Sequence, residues 1–413
     1  MAWIDNKTAL FIGGSDNSSA NTICISNMAK EMVSRGYRVF IVSAGKEYVR
    51  KPNDLNGIEV WQVPDSFYTS FARYSKTHPS LFNKTLCQII QIFRHILLLP
   101  FYPITSLSRT RKVLNRSKEL VEKNDIHLII ATFNSYENIY SGLMIKKMYG
   151  DRVRVVSYHL DLRTVTINNS SIIRRYVYTH SCSSIVKECH IVDKLLIPYS
   201  GRQDIENIRD IETDKIYYVG FPVCIVQTDG DKCELPFEKE AINISYIGTL
   251  SSNNRDPRKI LFLLEQISKL ISRRILVHIW GNIGDIKDVL DSSPVVRYHG
   301  IINNNYVRYV QDHSDFLLNI GNSLAYSMLP SKIFGMFATG KPIINIITNP
   351  QDTTIPYFNI YSNSINIKEY DESSIDVHQI AEEINAALGK PLRSIDGLFE
   401  DFKPDTICNI LVH

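Results

Sequence analysis

An apolar strand pattern, a glycine turn and a helix pattern follow one another near the start of the chain. Residues 8–12 form the apolar run, Gly13 and Gly14 form the turn, and apolar residues at helical spacing lie within 19–35. A second apolar run follows at 39–43. Strands joined by a crossover helix lie parallel in one sheet. The beginning of the chain therefore predicts a βαβ unit of an α/β fold, with later strands at 127–131, 154–158 and 190–197.

The same order restarts in the second half of the chain. A strand is predicted at 242–247, Gly248 begins the turn, and a helix is predicted at 257–271. Further strands are predicted at 275–279, 295–299 and 316–320. Two successive halves of this kind predict an α/β protein with two Rossmann-like domains that face each other across a cleft. Ligands of such domains bind at the carboxyl ends of the parallel strands.

The division between the halves is also readable. A chain of 413 residues exceeds what one hydrophobic core usually holds. The polar stretch 227–240 separates the two patterns. We therefore predict an N-terminal domain over 1–225 and a C-terminal domain over 226–390. Residues 391–413 are expected to form a C-terminal helix that crosses back towards the first domain.

The segment 319–347 is the most informative part of the chain for function. Its polar loop ends at Ser331 and Lys332, a short helix pattern follows, and an apolar strand begins after Pro342. Backbone N–H groups at a helix start favour an anion such as a diphosphate. The Ser331 hydroxyl and the Lys332 ammonium add a donor and a positive charge at the same place.

The run from Pro330 to Pro342 reads P-S-K-I-F-G-M-F-A-T-G-K-P. It resembles the donor-site segment P-S-K-x-F-E-Y-x-x-x-G-K-P of nucleotide-sugar glycosyltransferases with the GT-B fold. The resemblance is to the group 1, family 4-like transferases of bacterial surface polysaccharide synthesis. Many of these have two glutamates with seven residues between them, and here Ser327 and Gly335 occupy those positions. The second glutamate usually holds the ribose hydroxyls, so Gly335 departs from the family where a nucleotide contact is expected.

The resemblance implies a set of donor-binding residues. It carries over to Gly14, Thr249, Arg255, Gly281, Ser331, Lys332 and Gly335. Related transferases often place an arginine directly after the glycine of the second domain's first turn, where this chain has Thr249. Arg255 or Lys259 is therefore expected to neutralise the donor diphosphate, with a surface helix start as the alternative. No metal and no cofactor are expected besides the donor, a nucleotide-diphosphate sugar of the UDP type.

His159 and Asp161 follow the predicted strand 154–158 in the first half. Two residues two apart in an extended strand face the same side, and strand ends border the ligand site. The pair could orient an acceptor hydroxyl or act as its base, which makes these residues the candidate catalytic groups. A polar filler without function is the alternative for His159, and a tight turn without ligand contact is the alternative for Gly14.

Residues 66–118 contain nine Lys and Arg residues and no Asp or Glu, around an aromatic and aliphatic stretch at 81–102. Basic charge beside apolar residues suits an anionic lipid surface. We therefore expect this segment to contact the inner membrane surface, with a buried helix as the alternative. No nucleic-acid partner is expected, since no established nucleic-acid-binding motif is visible.

Taken together, the resemblance implies a glycosyltransferase that moves a sugar from a nucleotide-diphosphate sugar to a lipid-linked glycan. The pathway implied is capsule, O-antigen or exopolysaccharide synthesis. The protein would be cytoplasmic and peripheral at the inner face of a bacterial cell membrane. Two alternatives stay open: a nucleotide-sugar epimerase on the same fold, and a non-catalytic GT-B subunit that binds a glycan or a partner transferase. The missing acid at Gly335 favours the second alternative.

Overall fold

The computed structural model describes residues 7–15, 20–45, 49–52, 57–78, 80–160, 172–225, 231–324 and 329–413. The chain forms two compact units. The first comprises Met1–Pro222 together with Asp401–His413, and the second comprises Val223–Glu400.

The first unit is built on an eight-stranded sheet. Its strands, in chain order, are β1 (Thr8–Ser15), β2 (Arg38–Gly45), β3 (Val49–Pro52), β4 (Ile58–Pro64), β5 (Leu128–Phe133), β6 (Arg154–His159), β7 (Lys194–Pro198) and β8 (Ile216–Val219). They are arranged in the order β3-β4-β2-β1-β5-β6-β7-β8. Every neighbouring pair is parallel except β3 and β4, which are antiparallel.

The described residues of this unit form seven α-helices before the chain enters the second unit. They are α1 (Ala20–Ser34), α2 (Phe67–Thr77), α3 (Leu81–Leu98), α4 (Leu107–Asn124), α5 (Tyr136–Tyr149), α6 (Ile172–Ile191) and α7 (Arg202–Glu206). Side chains of α4, α5 and α6 share one apolar cluster with alternate strand residues, and this cluster is the core on one face of the sheet.

The second unit has a six-stranded parallel sheet in the order β11-β10-β9-β12-β13-β14. The strands are β9 (Ala241–Ile247), β10 (Arg274–Trp280), β11 (Val296–Tyr298), β12 (Phe316–Ile320), β13 (Ile343–Ile347) and β14 (Ser364–Lys368). The helices are α8 (Arg258–Leu270), α9 (Lys287–Ser292), α10 (Asn304–His313), α11 (Lys332–Phe337), α12 (Ile355–Tyr361) and α13 (Val377–Ala387).

The two faces of the second sheet are chemically different. On one face, alternate strand residues pack with α8 and α13 in the main apolar cluster. On the other face, a row of asparagines crosses three strands. Asn319 donates its side-chain N–H to Asn345 Oδ1 at 2.8 Å, and Asn345 donates in turn to Asn366 Oδ1 at 2.9 Å. These three residues are direct cross-strand partners, so the row of amide hydrogen bonds favours this register over a slipped one.

The chain ends with α14 (Pro404–Val412), which packs on the first unit beside α1. Ile407, Cys408 and Leu411 of this helix are fully buried. Two cations of the sheet approach its last carbonyl groups: Arg154 donates to Val412 O at 2.9 Å and Lys194 donates to Ile410 O at 2.8 Å. Positive charge near a helix C-terminus stabilises the helix, because it interacts with the negative end of the helix dipole.

Most predicted strands and helices occur within one to three residues of the expected bounds, but the strand predicted at 190–197 is wrong in its first part. Helix α6 continues to Ile191, because Val192 N still donates to Glu188 O at 3.0 Å. The strand begins only after Asp193, whose carboxylate accepts the N–H of Val155 at 2.7 Å and so fixes the start of β7 beside β6.

The return to the first unit begins at residue 401 rather than at 391. Residues before it are held in the second unit: Arg393 N donates to Gly340 O at 3.0 Å, and Phe399 stacks on Phe337 with ring centres 4.7 Å apart. Asp401 is the first residue held in the first unit, where its carbonyl accepts the N–H of Gly220 at 3.1 Å.

No helix within the described ranges combines the length and apolarity that crossing a bilayer requires.

We predict that Leu411→Ala lowers the free energy of unfolding by about 2–5 kcal/mol, because it leaves a cavity between α14 and α1. The matched control is Leu392→Ala, the same change at a side chain that is 59% exposed, which should alter stability by less than about 0.5 kcal/mol. Chemical denaturation measures both. Equal effects of the two substitutions would contradict the docking of α14.

Candidate functional site

Tyr246 lies near the carboxyl end of β9 and forms the floor of the candidate site. Its side chain is fully buried, and its hydroxyl donates to the carbonyl oxygen of Thr249 at 3.0 Å. Burial raises the pKa of Tyr246 to about 12, although the nearby Arg255 charge acts in the opposite direction. The phenol is therefore neutral at physiological pH, and its ring offers an electron-rich face to cations.

Arg255 lies in the loop that follows β9. Its Nε donates to Asn322 Oδ1 at 2.7 Å, and Asn254 Nδ2 donates to the same oxygen at 3.3 Å. Asn322 belongs to the loop after β12, the strand adjacent to β9 in the sheet. The two loops are therefore tied together at the carboxyl edge of the sheet. Arg255 itself has a positive φ of 59°, a backbone conformation that non-glycine residues adopt rarely.

Lys332 is the first residue of α11. Its Nζ lies 4.7 Å from the centre of the Tyr246 ring, which is within the range of a cation–π contact. The residue as a whole is half-buried, yet protein atoms surround its ammonium group. This burial, together with the positive charge of Arg255, lowers the pKa of Lys332 well below the ordinary value for lysine.

Two positive side chains thus lie at Tyr246, with Lys332 over its ring and Arg255 near its phenol. Neither Arg255 nor Lys332 forms an ion pair with a carboxylate in the part of the chain that the structure describes. A desolvated cation without a counter-charge is energetically costly, and a second cation beside it adds repulsion. An anion bound between them would remove both costs, so the arrangement is suited to a phosphate or diphosphate group.

The start of α11 differs from the sequence expectation. The helix has six residues, and Ser331 before it is in the helical region of φ and ψ without a capping hydrogen bond from its side chain. The feature that suits an anion is therefore the cation pair rather than a long helix N-terminus. Gly335 lies inside this short helix, and a Cβ atom added there would meet nothing within 4 Å.

Gly281 is required for packing of two loops. A Cβ atom at this position would lie 1.9 Å from Gly248 O, a distance that no side chain can adopt. Gly248 also donates its N–H to Trp280 O at 2.9 Å. Thr249 follows on the surface, where its carbonyl receives the Tyr246 hydroxyl. Gly281 and Thr249 therefore help to shape the loops around the cation pair.

A cavity of about 480 Å³ lies elsewhere in the second unit, beside the ends of β10 and β11. Its lining includes Trp280, His299 and Tyr306. Trp280 and His299 stack with ring centres 4.7 Å apart, and His278 Nδ1 lies 3.0 Å from His299 Nε2. Burial is the main cause that lowers the pKa of His278 to about 4. These imidazoles are therefore neutral at physiological pH, which leaves an uncharged aromatic wall.

His159 ends β6 in the first unit and is fully buried. Its Nε2 lies 2.7 Å from Glu188 Oε1, which also accepts the hydroxyl of Ser157. The ring stacks on Phe133 at 5.2 Å, while Nδ1 has no hydrogen-bond partner among the described residues. The structure thus places the imidazole in the interior. Asp161, its predicted companion, lies outside the described residues.

Gly14 lies near the end of the central strand β1, where the pairing with β2 is irregular, and has a φ of 84°, which favours glycine. A Cβ atom there would contact Ile25 at 3.7 Å, so the space around it is ordinary. The adjacent Gly13 is more restricted, because a Cβ atom would lie 1.8 Å from Thr132 Oγ1. The glycine pair therefore allows β1 and β5 to end close together.

Sequence reasoning missed three residues of these clusters: Tyr246, Asn322 and Glu188. Tyr246 and Asn322 stand at the ends of predicted strands, which is a signal that could have been used. Glu188 lies within α6, and nothing in its sequence neighbourhood indicates that it pairs with His159.

No protein-family model and no curated protein sequence matches the chain. Among solved structures, the chain is similar to sucrose-phosphate synthase from Thermosynechococcus elongatus, with a TM-score of 0.54 and 11% identity over 98% of this chain and 95% of that chain. The glycotransferase of kitacinnamycin gives a TM-score of 0.53 and 9% identity over 98% of both chains. HepE from Anabaena, crystallised with UDP and glucose, gives 0.51 and 10% identity over 98% and 95%.

These likenesses show the fold. The chain has the two-domain α/β architecture of GT-B glycosyltransferases, and the predicted pair of Rossmann-like domains is confirmed.

We predict that Gly281→Ala and Gly335→Ala change stability in opposite directions. The first forces the Gly248 loop away and should destabilise the second unit by more than about 2 kcal/mol. The second fills open space within a helix and should stabilise it by up to about 1 kcal/mol. Chemical denaturation of both variants measures the difference. A stable Gly281→Ala protein would show that the two loops do not approach as described.

Proposed function

We propose that this protein is a glycosyltransferase that uses a nucleotide-diphosphate sugar as donor. The observation that carries the proposal is the pair of cations at Tyr246, Lys332 over its ring and Arg255 beside its phenol, without a carboxylate partner among the described residues. A diphosphate is the anion of the right chemistry for this pair. The likeness to GT-B folds, one of them crystallised with UDP and glucose, supports a donor of the UDP type.

The pair would act on the leaving group. When the bond between the sugar and the diphosphate breaks, negative charge accumulates on the departing diphosphate oxygens. Fixed cations in a partly desolvated site stabilise that charge more than they stabilise the intact donor, which lowers the barrier to transfer. Arg255 is held in place by Asn322, and Lys332 is held by the aromatic ring, so little reorganisation is needed during the reaction.

The remaining donor contacts are assigned by position. Ser331 directly precedes Lys332, and Thr249 lies in the same loop as Arg255, between β9 and α8. Gly281 and Gly335 belong to the segments that the family resemblance connects with the nucleotide. The aromatic cavity with Trp280 and His299 would receive the nucleoside. No metal ion forms part of the proposal.

The acceptor is proposed to be a lipid-linked glycan, presented by the first unit near Gly14, His159 and Asp161. The hydrogen bond from His159 to Glu188 fixes the orientation of the imidazole. Because its ring is buried, we assign His159 a positioning role: it holds in place the part of the first unit that presents the acceptor. The proposed setting is surface polysaccharide synthesis at the inner face of a bacterial membrane, with residues 66–118 towards the lipid.

A second candidate function is a non-catalytic subunit that binds a nucleotide sugar or glycan. The observation that favours it is Gly335, which places neither a carboxylate nor any other side chain at the expected ribose contact. Incubation with a panel of labelled nucleotide sugars and a membrane extract separates the two functions. Label that enters lipid-linked glycan supports the transferase, whereas tight nucleotide binding without transfer supports the subunit.

We predict that Lys332→Met and Arg255→Gln each weaken UDP binding by roughly 10- to 100-fold, because each removes a charge-assisted contact to the diphosphate. Isothermal titration calorimetry measures the affinities. Lys259→Met is the matched control, since Lys259 is an exposed lysine of the same unit that pairs with Glu372 at 2.8 Å. The control should bind UDP like the unaltered protein. Unchanged affinity in both site variants would remove the cation pair from the donor site.

A further inference from the structure

The most unusual surface of the first unit is a helical hairpin formed by α2 and α3. Helix α3 has 18 residues and none of them is buried. Six of its large apolar side chains are between 58% and 84% exposed: Leu81, Phe82, Ile92, Phe93, Ile96 and Leu97. Contiguous apolar surface of this kind is uncommon on monomeric proteins and marks an interaction site. The alternative that this stretch is a buried helix is therefore wrong.

The exposed residues occupy one side of the helix. Residues 82, 89, 93 and 97 are spaced by seven and by four, which places them on one face. The other side contacts α2, where the Arg94 guanidinium lies 4.6 Å from the centre of the Tyr68 ring. Helix α3 is thus held along one side and presents an apolar face about 27 Å long on the other.

The hairpin is anchored firmly to the unit at its C-terminal end. Glu137, fully buried in α5, accepts the N–H groups of Thr105 and Ser106 at 2.7 and 2.8 Å. Arg94 Nε donates to Thr105 O at 2.9 Å, which ties the end of α3 to the same point. Tyr102 OH lies 3.0 Å from Ser181 Oγ of α6. The apolar face is therefore a fixed part of the surface.

Residues 66–118, which include the hairpin and the first part of α4, carry positive charge and no acidic residue. In the described part of residues 66–118, five cations have no carboxylate within ion-pair distance: Lys84, Arg94, Arg109, Arg111 and Lys112. The other described cations of this segment pair with acidic residues outside it, namely Asp65, Glu119 and Glu122. An apolar face with unpaired positive charge beside it complements the acyl chains and headgroups of an anionic bilayer.

We propose that α3 lies in the plane of an anionic membrane surface and inserts its exposed apolar face below the headgroups. This inference makes the acceptor side of the proposed function more specific, and it rests on that function only for the lipid-linked acceptor. The helix binds as an interfacial element and does not cross the bilayer. Lys84, Arg111 and Lys112 contact the headgroups, while Ile92, Phe93 and Leu97 enter the acyl region.

The test is co-sedimentation of the full chain with phosphatidylcholine vesicles that contain or lack phosphatidylglycerol. The unaltered protein should bind the anionic vesicles and dissociate from them at high salt.

The triple variant Ile92→Ser, Phe93→Ser and Leu97→Ser should lose roughly 100-fold in partition coefficient, because three exposed side chains no longer enter the acyl region. Arg111→Gln and Lys112→Gln should lose about five-fold each. Phe262→Ser is the matched control, a 63% exposed aromatic residue of the second unit, and should bind fully.

Circular dichroism and UDP calorimetry on the same variants separate the possible failures. The triple variant should keep its fold and its UDP affinity, because all three side chains are exposed. Absence of vesicle binding by the unaltered protein overturns the inference while leaving UDP binding intact. Light scattering that shows a dimer, broken to monomers by the triple variant, would also overturn it and assign the face to a second copy. If the unaltered protein instead binds the vesicles but does not bind UDP, only the proposed function is contradicted.

Discussion

The second unit's candidate site depends on Tyr246, a buried neutral tyrosine with one cation over its ring and another beside its phenol. Lys332 lies over the Tyr246 ring, and Arg255 lies beside the phenol and is hydrogen bonded to Asn322. Burial and like-charge repulsion both act against the protonated form of Lys332. The ring compensates only in part, because a cation–π contact contributes about 1–2 kcal/mol. The site is therefore electrostatically incomplete until an anion binds.

The parallel sheet makes this arrangement possible. Tyr246 and Asn322 belong to adjacent strands or to the loops that directly follow them, so the sheet brings them together without a long connection. Gly281 contributes by its lack of a side chain, since any Cβ atom would displace the Gly248 loop. The asparagine row on the opposite face of the sheet favours this register, and a slip of one residue would turn the side chains of the slipped strand to the other face.

Much of the fold follows from strand and helix periodicity in the sequence, as the two restarting α/β patterns show. Arg255 and Lys332 were also predicted as donor-binding residues, because sequence motifs at a loop and at a helix start are visible without knowledge of the fold. That both lie at Tyr246 was not predictable, since Tyr246 is a strand residue that reads simply as core. The pairing of His159 with Glu188 was hidden for a similar reason: the two residues are adjacent only after α6 packs on β6. The strand bounds near residue 190 failed because a buried apolar run fits a helix end as well as a strand.

The central claim is that Lys332 and Arg255 together hold a diphosphate, and the protonation state of Lys332 reports on it directly. Carbon-13 NMR of protein labelled at the lysine ε-carbons, with Lys332→Arg to assign the signal, gives the pKa with and without UDP. A pKa that is lowered in the free protein and rises when UDP binds is the predicted result, since a nearby anion favours the charged amine. UDP affinity should then fall as the pH rises from the lowered pKa to the raised one. A Lys332 pKa at the ordinary lysine value, or one that UDP leaves unchanged, would contradict the account.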